Sequence, residues 1–428
     1  MSIDLMTPVL PVVGQGQAAG PTLTEAEIAA LIAAGLGPLP LDGRRVLLIV
    51  PDATRTMPLP LFFRQLMAHL LPRGAQPDVL VALGTHPPLS EPELLKLLGL
   101  TAAHKAAAYP GVRLLNHQWD DPAALLTLGV LPAAEMGALT GGLLTADVPV
   151  TLNRLILDYD HLLICGPVFP HEVAGFSGGN KYFFPGIAGA EVIDFTHWLG
   201  ALITNYALIG VADTPIRAIM DRAASLIPRP RHALCSVVTG AGVHGLYIGA
   251  PEAAWAEAAA LSSQVHIRWH AQPYRQVLAV LPEMYTELWV GGKGMYKTEP
   301  VIADGGELII YAPHLREISA THGRVIAAIG YHVRDYFLKQ WDKFQQYPWG
   351  VIGHATYVKG AGTYENGIER PRVNVTLATG LSADVCRAIN LGYRDPATID
   401  PAAWANREGE GLLLDPHAGE TLHRVRNA

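Results

Sequence analysis

The 428-residue chain reads as an α/β protein of two domains, with its chemistry gathered in the cleft between them. Three observations predict this. Short runs rich in Val, Ile and Leu alternate with longer stretches of helical periodicity, the pattern of a parallel sheet with crossover helices. The clearest runs stop abruptly in polar loops. A second set of runs begins near Pro273, in a chain long enough for about two to three domains.

The first unit, residues 1–272, is expected to be a Rossmann-like parallel-sheet domain. Its three marked strands are Arg45–Val50 (RVLLIV), Val79–Leu83 (VLVAL) and His161–Cys165 (HLLIC). They run into Pro51-Asp52-Ala53-Thr54-Arg55, Gly84-Thr85-His86-Pro87 and Gly166-Pro167-Val168-Phe169-Pro170-His171. In open α/β sheets ligands bind beyond the carboxyl ends of the strands. Any one of these loops alone is an ordinary solvated connection; three carrying Asp, Arg and His predict one assembled site. Ile227–His232 (IPRPRH) is turn-rich but falls inside this unit. The second unit, residues 273–408, is a smaller α/β domain with strands at Gln276–Leu281, Glu307–Tyr311 and Val351–Gly353, and a loop bearing Glu287, Trp289 and Lys293. The tail Glu408–Val425 reads as strand, turn and strand, and such a ribbon, within residues 409–428, can return to the first domain.

Composition narrows the function. Half of the residues are apolar and 16% charged, enough for proper cores. The net charge of −7, without a long run of like charges, argues against nucleic-acid or membrane-surface partners. An acidic substrate must therefore be met by a few placed cations. Cys165, Cys235 and Cys386 lie far apart with no CxxC pair, which fits a reducing cytoplasm. The start, MSIDLMTPVLPVV, lacks a basic segment followed by an apolar core, so no secretory leader is expected, and no apolar stretch approaches the ~18–20 residues of a membrane span. The expected location is the cytoplasm.

The most informative stretch is Pro170–Trp198, PHEVAGFSGGNKYFFPGIAGAEVIDFTHW. Gly175, Ser177, Gly178 and Gly179 precede Lys181, and glycines allow positive φ and close backbone approach to a phosphate or flat cofactor. The spacing is neither GxxxxGK[ST] nor GxGxxG, and Tyr182 stands where a Walker loop needs Ser or Thr. What remains is a glycine-bedded lysine, either a phosphate ligand or a covalent anchor. Phe176, Phe183 and Phe184 argue against an incidental surface lysine, because a desolvated amine deprotonates more easily. Ala190–Leu208 has helical periodicity and carries His197, by itself as readily a packing residue as a ligand.

These motifs resemble the lactate racemase family. HEVAGFSGGNK followed by FPGIAG, with a histidine sixteen residues after the lysine, is similar to the family signature, as are Asp52-Ala53-Thr54-Arg55 with Pro58 and Gly84-Thr85-His86. The resemblance implies a nickel-pincer nucleotide (pyridinium-3,5-bisthiocarboxylic acid mononucleotide with Ni) attached through Lys181, with His197 as the nickel ligand; soft sulfurs and one imidazole suit that metal. It implies His86 and His171 as the acid/base pair, and Arg55 as the binder of the substrate carboxylate. It places Asp52, Thr54, Ser177, Gly178 and Gly179 around the cofactor. Lys293 matches a substrate-binding lysine, with Lys297 four residues on as the competing match. Trp289 departs from the pattern, since the lactate-acting members carry tyrosine there, so it is expected to line the pocket and favour a different acid.

The implied activity is a racemase or epimerase that inverts C2 of a 2-hydroxy acid by reversible hydride transfer to the tethered cofactor. Two bases are needed because the hydroxyl lies on opposite sides in the two stereoisomers. The partners implied are a small 2-hydroxy acid and cofactor-synthesis enzymes acting in trans, with room for a homo-oligomer. The alternatives are a metal-dependent hydrolase using His86, His171 and a carboxylate, a pyridoxal-phosphate enzyme using Lys181, and a non-catalytic nucleotide-binding protein.

Overall fold

A computed structural model describes residues 10–426; the first nine residues, part of the segment read above as lacking a leader, lie outside the described residues, as do the last two. The chain is a mixed α/β structure with two main sheets. The larger comprises β1 (Val13–Gly16), β2 (Arg45–Val50), β3 (Gln76–Val81), β4 (Leu114–Asn116), β5 (His161–Pro167), β6 (Arg231–Thr239) and β7 (Gly242–Gly249). Their order is β1-β7-β6-β5-β2-β3-β4. The strands from β6 to β4 are parallel, and β7 and β1 add an antiparallel edge.

Alternation along these strands fixes two faces. Leu47, Ile49, Leu80, Leu162 and Ile164 join one core, while Val46, Leu48, Val50, Val79, Val81 and Leu163 join the other. Each fully buried aliphatic side chain stabilises the fold by about 1.5–3 kcal/mol relative to exposure. Helices α1 (Glu25–Leu36) and α2 (Leu59–Leu70) cover the second face, and α1 is started by a Thr24–Glu27 capping box. Helices α3 (Ala190–Ile203), α4 (Pro215–Ala224) and α5 (Pro251–His266) supply residues to the first core.

From β2 the chain moves outward to β3 and β4, then returns to β5 on the other side of β2. The loops leaving β2 and β5 therefore diverge at a topological switch point, where ligands of open α/β sheets bind. All three polar loops picked out in the sequence leave carboxyl ends at or beside it.

The smaller sheet is wholly parallel, with β8 (Tyr274–Val280), β9 (Ile302–Ala312), β10 (Asn374–Thr379), β11 (Gly392–Tyr393) and β12 (Leu412–Asp415) in the order β11-β10-β9-β8-β12. Past β12, Leu422–Val425 pairs with Ile267–His270, directly after α5, and Arg424 donates to the Ile209 carbonyl. The tail thus adds one strand to the smaller sheet and a second to a separate two-stranded ribbon beside α5.

Two local expectations are corrected. Val351–Gly353 is helical, within α6 (Trp349–Lys359), whose residues from Gly350 onward are all buried. A helix buried on every side has no polar face to produce a 3.6-residue pattern, and its Val, Ile and Gly imitate a strand. The turn-rich Ile227–His232 stretch already contains the start of β6, whose nine residues went unread. Among the described residues no helix is long and apolar enough to cross a membrane. Cys165, Cys235 and Cys386 are buried and unpaired, and burial pushes their thiols up, which makes them inert.

Candidate active site

One cleft, with about 1020 Å³ of empty space counted out to its mouth, is lined by Asp52, Arg55, His86, His171, Ser177, Gly178, Lys181, His197, Trp289 and Lys293, ten of the twelve residues singled out in the sequence. Thr54 and Gly179 stand behind it. Thr54 gives Asp52 two hydrogen bonds, from its N–H (3.0 Å) and its hydroxyl (2.6 Å). Gly179, at φ +57°, lies against Trp255, and a Cβ there would come within 2.9 Å of the Trp255 side chain.

The loop after β2 offers Asp52 and Arg55. Asp52 Oδ2 accepts from His86 Nδ1 at 2.5 Å. Burial alone would raise the Asp52 carboxyl, but the charge and hydrogen bond of His86, with Arg55 and Thr54, hold it well below the usual carboxylate range. Because the carboxylate accepts the Nδ1–H hydrogen bond, the lone pair of the neutral ring lies on Nε2, the nitrogen left to act as a base. His171, on the short ribbon after β5, is set the other way. Its Nδ1 accepts the Val173 N–H at 3.1 Å, so the proton of the neutral ring sits on Nε2, 3.4 Å from Glu172 Oε1. Burial, then the charges of Lys181, Arg55 and Lys297, push His171 well below its ordinary range and keep it neutral. The two histidines thus rest in opposite tautomers, one acceptor and one donor.

The glycine loop is held from beneath. Arg217 of α4 donates to the carbonyls of Phe176 (2.6 Å) and Gly178 (3.1 Å), and its guanidinium lies 4.0 Å from the centre of the Trp255 ring. Trp255 in turn donates to the Ser177 carbonyl (2.8 Å). Ser177 Oγ donates to the Pro167 carbonyl and accepts from the Phe169 N–H, so its hydroxyl is a latch for this loop. Gly178, at φ +82°, has no room for a side chain, since a Cβ would sit 2.4 Å from Val168. Lys181 emerges from this bed. Desolvation, reinforced by Arg55, lowers its amine to about 7, so a large share is the free nucleophile near neutrality.

His197 projects from α3. Its Nδ1–H donates to the Ile193 carbonyl (2.8 Å), which leaves the Nε2 lone pair for a metal, and burial lowers its pKa to about 4, so the proton does not compete. Of the nearby carboxylates, Asp52 pairs with His86 and Glu172 with His171; among the described residues none pairs with Arg55. Arg55 is therefore a half-buried cation available to an anionic ligand.

The opposite wall comes from the second sheet's connections. Lys293 donates to the Thr54 carbonyl (3.2 Å) and lines the cleft, whereas Lys297 is fully buried and bonded to the Pro170 carbonyl. Of the two lysines, Lys293 is the one that lines the cleft. Burial, with Arg55 as the largest nearby charge, pushes its ammonium well below the lysine range. Trp289 stacks on His354 with ring centres 3.8 Å apart and lies 4.4 Å from His322. Glu172, Tyr296, His354 and Tyr357 also line the cleft and were missed in the sequence. Glu172 stands beside a residue that was found; the others sit in buried helical segments with no periodic signal.

Comparison with known proteins agrees with this geometry. A profile of the lactate racemase N-terminal domain matches residues 32–210. Lactate racemases of Lactiplantibacillus plantarum and Thermoanaerobacterium thermosaccharolyticum are 28% and 27% identical over 156 and 186 residues, 36% and 42% of this chain. The matched segments span 32% and 39% of those relatives' own lengths. A crystal structure of a Thermotoga maritima protein superposes with a TM-score of 0.87 at 34% identity, covering 95% of this chain and 99% of that one. Residues 32–210 carry a lactate racemase N-terminal domain. The lactate racemase apoprotein from T. thermosaccharolyticum shares the fold, with a TM-score of 0.71 at 19% identity over 94% of each chain.

Proposed function

We propose that this protein is a racemase or epimerase that inverts the hydroxyl-bearing C2 of a 2-hydroxy acid. The observation that carries the reading is the pairing of an acceptor histidine, His86, with a donor histidine, His171, in one cleft that also holds an unpaired arginine. Arg55 fixes the carboxylate by a bidentate contact, with Lys293 beside it, so that C2 can invert while the acid stays bound. The stereoisomer whose hydroxyl faces His86 meets a base, which takes the hydroxyl proton as the carbon is oxidised to the keto level. On the other face His171, once it has taken up a proton from solvent, gives that proton to the oxygen as the carbon is reduced again and is left neutral, while His86 loses its added proton to solvent; the reverse direction exchanges their roles. Asp52 holds His86 in the tautomer this requires.

The residues present fit a lysine-tethered nickel-pincer nucleotide. A large share of Lys181 is the free amine near neutral pH, beside the glycine pair Gly178-Gly179, and His197 offers one imidazole lone pair. Among the described residues no three His, Cys, Asp or Glu side chains gather to hold a metal, so a nickel bound beside His197 would need its other donors from the cofactor. When bound, that group supplies the acceptor and donor of the hydride. The same absence of a three-residue cluster gives the hydrolase alternative no support. The larger sheet with the cofactor residues and the smaller sheet with Trp289 and Lys293 correspond, in this reading, to a Rossmann-like domain at 1–272 and a second domain at 273–408, with the substrate between. A cytoplasmic location follows from the cofactor being supplied by other enzymes.

The test is co-expression with the cofactor-synthesis enzymes. Intact mass should show an adduct absent from Lys181→Ala, and His197→Ala should retain less nickel than His86→Ala or His171→Ala. Chiral chromatography of a panel of 2-hydroxy acids should show inversion by the loaded protein alone. Activity in protein of unmodified mass contradicts the proposal.

A further inference from the structure

Arg55 is the cation assigned to the substrate carboxylate, yet the loop that bears it has little hold of its own. Between β2 and α2, no backbone group of Ala53, Thr54, Arg55 or Thr56 bonds to another backbone group among the described residues. Side chains fix the loop instead. Before Arg55, Thr54 bonds to Asp52, and Lys293 of the opposite wall donates to the Thr54 carbonyl at 3.2 Å. After Arg55, the Thr56 hydroxyl donates to the carboxylate of Glu420, 364 residues further along the chain. Arg55 is thus bracketed by two bonds whose far ends both lie in the second half of the molecule.

The turn that presents Glu420 is itself fastened. The Ala418 N–H donates to the Val280 carbonyl at the end of β8 (2.9 Å). Gly419, at φ +115°, presses on Tyr285, where a Cβ would come within 2.7 Å of that side chain. The Tyr285 ring also carries Lys293, whose Nζ lies 4.3 Å from the ring centre. One assembly of turn, tyrosine and lysine therefore holds both ends of the Arg55 loop. Neither Thr56 nor Glu420 lines the cleft, so their bond can reach a bound acid only through Arg55.

We propose that Glu420 is a positioning residue: by accepting the Thr56 hydroxyl, it holds the guanidinium of Arg55 where the carboxylate of the acid arrives. The role rests on the function proposed above. A hydrogen bond to a carboxylate is of the stronger, charge-assisted kind. Without it the loop samples other positions, and apparent affinity falls in proportion to the fraction left competent. Turnover of the bound acid should suffer less, because His86, His171 and Lys181 are fastened by other neighbours.

Glu420→Ala and Thr56→Val each remove one partner of the bond, and both residues are only half-buried. In cofactor-loaded protein, lactate binding is read by calorimetry and inversion by chiral chromatography. Either variant should raise Kd and KM about tenfold while kcat stays within about threefold. The double variant should be no worse than the poorer single one, since both remove the same bond. Glu420→Gln and Thr56→Ser keep an acceptor and a donor, and should bind within about twofold of wild type. Hydrogen exchange of the 53–57 segment, measured without substrate, should quicken about tenfold in Glu420→Ala and recover in Glu420→Gln. Thr56→Val, the milder change, carries the test if Glu420→Ala does not fold. Unaltered exchange in Glu420→Ala, a fall in kcat with KM unchanged, or a glutamine variant as impaired as the alanine one overturns the role. If lactate binds and no acid is inverted, the racemase reading fails and Kd with exchange decides the role of Glu420; if lactate does not bind, exchange alone decides it.

Discussion

On the cleft wall built by the first sheet, the groups assigned to proton transfer and metal binding are fastened by neighbours: Asp52 by Thr54, His86 by Asp52, His171 by Val173, His197 by Ile193, and the glycine loop by Arg217 and Trp255. On the wall built by the second sheet, His354 Nδ1, Tyr296 Oη and, behind Trp289, His322 Nε2 are buried without partners among the described residues. A fastened group has its tautomer and position set before a ligand arrives, which proton transfer requires. In the proposed reading the first wall carries the chemistry, and Trp289 on the second bears on the choice of substrate.

The comparison can be broken at several strengths. The largest effect belongs to Lys181→Ala, which removes the anchoring amine; covalent attachment and turnover should both vanish, by intact mass and chiral assay, and retained turnover would detach the glycine loop from the chemistry. Next come His86→Ala and His171→Ala. General acid–base steps are typically worth ~10²–10⁴ in rate, so kcat should fall by that range for every acid tested while nickel content holds. A loss confined to one acid would move these histidines to the recognition wall.

A smaller effect concerns acid. His117, His161, His232, His266, His322 and His354 are all buried, and burial lowers each to about 3 or 4 from 6.5. The unfolded chain therefore takes up protons first as the pH falls. The stability these rings contribute as neutral groups is intact above about 6.5 and declines as the pH drops toward 4. The thermal midpoint should fall steadily over that window, and His354→Leu should flatten the slope by about one proton. A midpoint independent of pH between 6.5 and 4 would contradict the buried, neutral state assigned to these rings.

The two walls also differ in how far they could be read in the sequence. The first was legible because β2, β3 and β5 are apolar runs that end at Asp52, near His86 and near His171, and because the glycines before Lys181 sit together in the chain. The second was legible only at Trp289 and Lys293, through their departure from or match to a family pattern. His354 and Tyr357 escaped because α6 is buried on every side, and a helix without a polar face presents no periodicity to separate packing residues from site residues. The same cause turned part of α6 into a supposed strand. Tyr296 lies three residues from Lys293 in a short helix, where nothing local distinguishes it from a core tyrosine. Thr54 and Gly179 were correctly grouped with the site's loops, but they support Asp52 and the lysine bed and do not face the cleft.

The most direct measurement is the ratio of kcat/KM for 2,3-dihydroxypropanoate over lactate, determined side by side in wild-type, His86→Ala and Trp289→Tyr protein loaded with cofactor. A division of labour between the walls predicts that His86→Ala lowers both constants together and leaves the ratio within about twofold, while Trp289→Tyr shifts the ratio toward lactate by about tenfold with turnover preserved. A ratio that moves in His86→Ala and stands still in Trp289→Tyr would contradict it.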